Sequence, residues 1–187
     1  MMVTPITEPM TIDDFEAFVS RPENQDRFFE LVNGNVVSRE NTEEMSVIAC
    51  TIGTALSSFA SPEKLGRTVL YVWYRSVNDL HNVRQPDVAF TRAERLQPIV
   101  TRGAATQLPD IAVEVQSPDD SLPRMREKAA WLIAHGVQLV WIALPRKRLV
   151  EVYRADGSAD ILTAEDTLDA GDTLPGFSVN VASLFEE

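Results

Sequence analysis

A short apolar run with one acid in its middle constrains the fold of this chain more than any other segment. Residues 109–118 read PDIAVEVQSP, and the β-branched residues flanked by prolines are typical of a strand inside a sheet. A carboxylate buried there is costly unless a cation, a metal ion or hydrogen bonds compensate it, so Glu114 is a candidate functional residue. The two-residue period of a strand places Glu114 and Gln116 on one face and Val113 and Val115 on the other.

Length and composition limit the class of protein. The 187 residues, of which 44% are apolar, are enough for one globular domain, so we expect a single domain over residues 1–187. The single Cys50 excludes an internal disulfide framework, and no stretch approaches the roughly 20 apolar residues of a membrane span. Met1–Met10 has neither the basic nor the apolar region of an export signal. We therefore expect a cytoplasmic protein with no membrane partner.

The charge of the chain bears on nucleic-acid binding. Its formal net charge is −11, which opposes long-range attraction to a polyanion. A DNA partner would therefore need a local basic patch or divalent metal ions at the contact.

Hydrophobic periodicity predicts strands interleaved with helices. Thr11 to Asp14 resembles a capping box at the start of a helix, and Asn33-Gly34 between two apolar runs indicates a hairpin that carries Glu30 in its first strand. We predict helices at 12–20, 42–60 and 123–135, strands at 27–32, 35–38, 68–77, 83–90, 138–144, 149–154 and 159–163 besides the central run, a loop or short helix at 92–107, and an irregular cap after 163. This order predicts an α/β or α+β fold, with a mixed sheet flanked by helices and an N-terminal helix and β-hairpin.

Two acids and a lysine stand at positions that suit metal-assisted hydrolysis. Asp87 opens one strand, Glu114 lies in the middle of a later one, and Lys128 lies on the helix that follows. Proteins bind Mg²⁺ through one or two carboxylates plus substrate phosphates and water, and such ions activate hydroxide for phosphodiester cleavage. We predict that Asp87 and Glu114, with the Val115 carbonyl, hold Mg²⁺ or Mn²⁺. Lys128 would then stabilise the charge that develops on the phosphate or orient the attacking water.

These residues also carry a resemblance to known nucleases. Pro86-Asp87 followed by Glu114-Val115-Gln116 resembles the motif of PD-(D/E)xK nucleases, in which the usual lysine would stand at the position of Gln116. Over residues 10 to 155 the chain more closely resembles the Uma-type family of restriction-endonuclease-like proteins, formerly a domain of unknown function. The matching segments are FELVNG at 29–34, QPDV at 85–88, EV and SP within 114–118, and Lys128 placed eight residues before Gly136-Val137.

The resemblance implies a restriction-endonuclease-like fold, a DNA substrate and a divalent metal ion. It also implies that the catalytic lysine has moved from the strand to the next helix, which assigns that role to Lys128, with Glu30 as an additional acid near the metal. Gln116 stays among the catalytic candidates through its position in the motif. The chain departs from many relatives, which carry histidine, aspartate and tyrosine, at Met45, Arg124 and Leu132.

Two functions remain open on this basis. One is a metal-dependent DNA endonuclease, and the alternative is a catalytically inactive protein of the same fold that serves as a nucleic-acid or protein binding module. At the level of single residues, Glu114 could instead pair with an arginine and Lys128 could lie on a solvated helix flank. Because a duplex has two strands and most soluble oligomers are twofold dimers, we expect a homodimer. We also expect the three acids to repel one another in the metal-free protein.

Overall fold

The structure is a computed structural model that describes residues 8–25 and 27–186. Most of Met1–Met10, the segment inspected for an export signal, lies outside the described residues. The helices are α1 Ile12–Val19, α2 Glu43–Ala60 and α3 Leu122–Ala134. The strands are β1 Phe28–Val32, β2 Asn35–Arg39, β3 Gly66–Leu70, β4 Val88–Arg92, β5 Ile111–Val115, β6 Leu139–Leu144, β7 Leu149–Arg154, β8 Ala159–Leu162, β9 Thr167–Asp169 and β10 Ser178–Asn180. Within the described ranges, no helix is both long and apolar enough to cross a membrane.

A six-stranded mixed sheet forms the centre of the fold, in the order β3-β4-β5-β6-β7-β8. Only β5 and β6 are parallel, and α3 makes the crossover between them; the other neighbours are antiparallel. Every residue of β5 is buried, as the apolar run predicts. The predicted fold class, a mixed sheet flanked by helices, is confirmed.

The two faces of the sheet pack against different helices. Val113 and Val115 join a core with α2, including Ile52. On the opposite face, Ala112 packs in a core with Ala129 of α3. The alternation along β5 therefore turns Glu114 toward α3, as the strand period requires.

The N-terminal region forms a unit of its own beside the sheet. Thr11 and Asp14 make the predicted capping box of α1. β1 and β2 pair as a separate two-stranded hairpin, and its Asn33 and Gly34 have φ of 50° and 76°, as a type I′ turn requires. Leu31 packs in a third core with residues of α1 and exchanges backbone hydrogen bonds with Val83. These bonds fix the hairpin against the segment that leads to β4.

Three predicted segments differ from the structure. The strand predicted at 68–77 ends at Leu70, because Tyr71 has a positive φ of 55° and the chain after it makes only isolated bridges at Tyr74. The strand predicted at 83–90 begins as regular structure only at Val88, so Asp87 precedes the strand. The region predicted as an irregular cap contains the short antiparallel pair β9 and β10. Its alternation is too short, at three residues a strand, to stand out in the sequence.

Candidate active site

Four charged residues from distant parts of the chain meet beside the sheet. Glu30 comes from β1, Asp87 from the turn before β4, Glu114 from β5 and Lys128 from α3, and all four are at most 6% exposed. Each arrives on a segment that apolar packing fixes, so burial of the charges follows from burial of the strands and helix that carry them. We refer to these four residues and Arg39 as the acidic cluster.

Lys128 joins two of the acids. Its Nζ donates hydrogen bonds to Oε1 of Glu30, to Oε2 of Glu114 at 2.7 Å and to the Gln85 carbonyl at 2.8 Å. On α3 it lies on the buried face with Met125, and not on a solvated helix flank. Three acceptors satisfy the three protons of a lysine ammonium, which makes its position well defined.

Arg39 also joins the acids, although no sequence motif indicated that it would. Its NH2 lies 3.0 Å from Oδ1 of Asp87 and 3.6 Å from Oε2 of Glu114, and its NH1 lies 3.7 Å from Oε1 of Glu30. Arg39 is the last residue of β2. An arginine at the end of a strand is usually solvated, and Arg39 belongs to no recognisable motif. The only signal was indirect, because buried carboxylates require cationic partners.

Backbone groups fix the positions of two of the carboxylates. Oδ2 of Asp87 accepts a hydrogen bond of 2.7 Å from the Val115 amide, and Oε1 of Glu30 accepts one of 2.9 Å from the Gln85 amide. Asp87 also donates its own amide to the Val113 carbonyl at 2.9 Å. The Asp87 side chain is therefore locked to the end of β5, next to Glu114.

Burial and the neighbouring positive charges shift the pKa values of the buried glutamates in opposite directions. Burial raises the pKa of Glu114 to about 7, although Lys128 and Arg39 oppose the rise. Burial also acts to raise the pKa of Glu30, but the nearby charges of Lys128, Arg39 and Arg84 outweigh it and hold that pKa below its ordinary value. The carboxylates, Asp87 first, raise the pKa of Arg39 against the effect of its burial. The same cations thus outweigh burial at Glu30 and do not outweigh it at Glu114.

The donor set fits a divalent ion held by two carboxylates. Asp87 and Glu114 both lie within 3.6 Å of one guanidinium nitrogen of Arg39, so a single cation already bridges them. Oε1 of Glu114 is buried and has no hydrogen-bond partner, which leaves one oxygen ready to accept a cation. Across residues 8–25 and 27–186, no group of three or more His, Cys, Asp or Glu side chains is arranged to hold a metal ion. The fit therefore rests on two protein carboxylates, the number that Mg²⁺ commonly uses.

The other candidate positions lie in different surroundings. The side-chain amide of Gln116 donates to the Asp120 carbonyl at 3.2 Å, and Gln116 lines a small surface cavity with Ser117 and Arg146. Met45 and Leu132, where the resemblance implies polar residues, are buried in the two apolar cores. The first joins the α2 core and the second the α3 core, so neither position adds a polar group to the acidic cluster.

Comparison with known proteins bears on the fold that carries these residues. A putative nuclease belonging to DUF820 from Anabaena variabilis ATCC 29413 superposes with a TM-score of 0.79 at 20% identity, over 95% of this chain and 98% of that one. A DrdV–DNA complex gives a TM-score of 0.35 at 12% identity over 75% of this chain and 13% of that one, which is too weak to bear on the fold. No curated protein matches the chain.

The fold is therefore that of a nuclease-like α/β protein, with buried acids and a lysine beside its central strand. The sequence model of the Uma2 family, described as "Putative restriction endonuclease", matches residues 13–182. This chain belongs to the Uma2 family, as the resemblance of its motifs indicated.

Proposed function

We propose that this protein is a metal-dependent DNA endonuclease that hydrolyses phosphodiester bonds at the acidic cluster. The observation that carries the proposal is the convergence of Asp87, Glu114 and Lys128, which the chain brings together from three elements. Burial of charges costs stability even where they pair, which makes a functional role a reason to retain them, and two acids with a lysine suit metal-assisted phosphodiester hydrolysis. The family description and the fold of the Anabaena protein support the same activity.

In this proposal Asp87 and Glu114 hold Mg²⁺ or Mn²⁺, with the Val115 carbonyl as a further ligand. The ion would supply a bound water of lowered pKa and neutralise charge on the phosphate. Lys128 donates to the reacting phosphate or to the attacking water. Glu30 holds the Lys128 ammonium in place through its hydrogen bond. Gln116, on the loop after β5, is a candidate contact to the substrate rather than to the ion.

The net charge of −11 requires that DNA be attracted locally. Arg124 is exposed at the start of α3, the helix that carries Lys128. Arg146 and Lys147 are exposed in the turn that follows β6, and Arg146 lines the cavity that Gln116 also lines. These three cations are the candidate phosphate contacts. A divalent ion at the acidic cluster would add positive charge beside them.

A binding module without catalysis is the second candidate. It is favoured by the pairing of every acid in the cluster with a cation, since such a network also stabilises a fold that performs no chemistry. Met45 and Leu132 in place of polar family residues point the same way. The two candidates differ in whether DNA is cut.

A nicking assay on supercoiled plasmid tests the enzyme. Wild-type protein with Mg²⁺ or Mn²⁺ is expected to nick or linearise the plasmid, and EDTA to abolish this. Asp87→Asn and Glu114→Gln, which keep shape and remove charge, should each reduce the rate by at least about a hundredfold. Asp172→Asn, an exposed acid at the far end of the chain, serves as the control. Equal nicking by wild type and Asp87→Asn would contradict the proposal, whereas DNA binding without cleavage would favour the binding module.

We further propose that the protein is a homodimer, since two copies would place one acidic cluster on each strand of a duplex. Light scattering across micromolar concentrations measures this. A mass near 20.8 kDa throughout, that of one chain, would show that the protein acts as a monomer.

A further inference from the structure

Arg39 contacts the acidic cluster in a way that the other cations do not. Lys128 bonds to Glu30 and Glu114, and Arg84 lies 3.7 Å from Glu30. Among the ion pairs of residues 8–25 and 27–186, only those of Arg39 reach both Asp87 and Glu114. We propose that Arg39 is the resident counter-cation of the metal site, which holds these two carboxylates together until a divalent ion displaces it. This inference rests on the proposed function, because it takes Asp87 and Glu114 as the metal ligands.

Charge balance is the first argument. Glu30, Asp87 and Glu114 carry three formal negative charges when ionised, and Lys128, Arg39 and Arg84 carry three positive ones. A divalent ion added to this balanced group would bury two uncompensated charges, which a protein interior disfavours strongly. Binding of the ion therefore favours the departure of one cation from the cluster.

The position of Arg39 makes it the cation that leaves. Its NH2 occupies the space between the two proposed metal ligands, so the ion and this nitrogen compete for the same oxygens. Its side chain is 12% exposed, more than that of Lys128 or Arg84, and it extends from the end of β2, in a hairpin that is not hydrogen-bonded into the main sheet. Outward rotation of the guanidinium would break its contacts to the acids and the hydrogen bond from its NH1 to the Gln85 carbonyl. Lys128, in contrast, keeps two acceptors outside the proposed ligand set, Oε1 of Glu30 and the Gln85 carbonyl, even if the ion takes Glu114.

The competition lowers the affinity of the site for a metal ion. Without the ion, Arg39 compensates two buried carboxylates and stabilises the fold. With the ion, the protein forgoes these contacts, so the observed affinity is weaker than that of the same ligands without Arg39. The arginine thereby stabilises the metal-free protein and reduces its affinity for metal at the same time.

Titration calorimetry with Mn²⁺ alone, combined with thermal melting, tests this. Arg39→Gln should melt below wild type without metal, and it should bind Mn²⁺ at least about tenfold more tightly, the coupling expected between a carboxylate and an adjacent arginine. Arg95→Gln is the matched control. Arg95 pairs at 2.6 Å with buried Asp110, which directly precedes β5, whereas Glu114 lies near the other end of that strand. That variant should lose stability and keep the wild-type affinity for Mn²⁺.

The outcomes separate the inference from the proposed function. If wild type binds Mn²⁺ and Arg39→Gln binds it equally or more weakly, Arg39 does not compete and the inference fails while the metal site stands. If wild type, Arg95→Gln and Arg39→Gln all fail to bind Mn²⁺, the metal-dependent function itself fails.

A second measurement does not require that Arg39→Gln fold. In wild-type protein labelled with ¹⁵N-arginine, the Nε–H signal of Arg39, assigned by its absence from Arg39→Lys, should shift on addition of Mg²⁺. The Arg95 signal should stay in place. An Arg39 signal that does not move at saturating Mg²⁺ would overturn the inference.

Discussion

The ammonium of Lys128 lies 2.7 Å from Oε2 of Glu114, and both groups are buried. The two residues are 14 positions apart, on the central strand β5 and on the crossover helix α3 that follows it. This contact links the crossover helix to one face of the sheet, and it pairs Glu114 with a cation. Removal of Lys128 leaves Glu114 buried without its closest cation, whereas removal of Glu114 leaves Lys128 paired with Glu30.

We first predict the effect of removing the lysine. Lys128→Met keeps an unbranched side chain as far as Cε but leaves Glu30 and Glu114 without their ammonium, so it should destabilise the protein by about 3–5 kcal/mol, the usual cost of breaking a buried ion pair on one side. Urea unfolding measures the loss. DNA cleavage should also fall to background, since no other lysine reaches the cluster among the described ion pairs.

A double variant checks the origin of that loss. In the double variant Lys128→Met with Glu114→Gln, the uncompensated charge on Glu114 is gone. The loss in free energy of unfolding should therefore be smaller than the sum of the losses in the two single variants. Arg124→Ala, an exposed change on the same helix, is the control. Additive losses would mean that Lys128 and Glu114 do not interact.

A second prediction concerns Asp87 and reverses an expectation from the sequence. Three acids in one pocket suggested mutual repulsion, so that Asp87→Asn would slightly stabilise the metal-free protein. In the structure Asp87 accepts from the Val115 amide and pairs with Arg39, so the charge is compensated. Asp87→Asn should therefore destabilise the metal-free protein by about 2 kcal/mol, the range for hydrogen bonds to charged groups. It should also abolish any rise in melting temperature on addition of Mn²⁺.

The control for Asp87 also has to be chosen from the structure. Asp79 lies in a polar turn, but it is unsuitable because it accepts hydrogen bonds from Asn82 and from the Trp131 indole. Asp172→Asn is the better control, because Asp172 is exposed. A metal-induced shift of the same size in wild type and Asp87→Asn would remove Asp87 from the ligand set.

The acidic cluster shows which parts of a site sequence patterns can predict. Glu114, Asp87 and Lys128 could be singled out because a buried acid in an apolar strand and a motif spacing are local signals. The partners that compensate the charge of Asp87 could not be predicted. Arg39 and the Val115 amide reach Asp87 only after a separate hairpin and the end of β5 have packed together. Long-range ion pairs depend on tertiary contacts that no short-range pattern records.

The same distinction holds for the fold. Periodicity and turn chemistry predicted the helices α1 to α3, the Asn33-Gly34 hairpin and the sheet strands β5 to β8 to within a few residues. The strand predicted at 68–77 was too long, because its β-branched and aromatic residues fit extended chain as well as sheet. Tyr71 there adopts a positive φ that its residue type does not favour. Its backbone amide bonds to the Asp87 carbonyl, which is another tertiary contact.

A third prediction concerns pH and lies outside the acidic cluster. Hydrogen bonds from Arg126 and then from the Tyr153 hydroxyl, which outweigh the effect of burial, lower the pKa of Glu151 from its ordinary value of 4.5. A lowered folded-state pKa means that Glu151 contributes stability above the unfolded-state pKa and loses it as the pH falls through the folded-state pKa. Glu151→Gln should thus unfold at lower urea than wild type at about pH 7, and the difference should shrink below about pH 4.

The control for this pH dependence is Glu127→Gln, an exposed glutamate on α3. Its urea midpoint should follow that of wild type at every pH. A deficit of Glu151→Gln that stays constant from neutral to acidic pH would show that the Glu151 carboxylate is not stabilised in its ionised form.

The last prediction compares two turns and tests how the hairpin that supplies Glu30 and Arg39 is held. Gly34 has φ of 76°, and a Cβ added to it would come within 2.3 Å of the Pro9 Cβ and 2.8 Å of the Pro9 Cα. Gly157, in the turn between β7 and β8, has φ of 86°, but a methyl group added there would meet only open space. Gly157→Ala should therefore cost only the backbone strain of about 1–2 kcal/mol, whereas Gly34→Ala adds a clash with backbone that cannot move aside cheaply. We expect Gly34→Ala to lower the melting temperature by clearly more than Gly157→Ala, and equal losses would mean that the Pro9 segment does not pack on the hairpin.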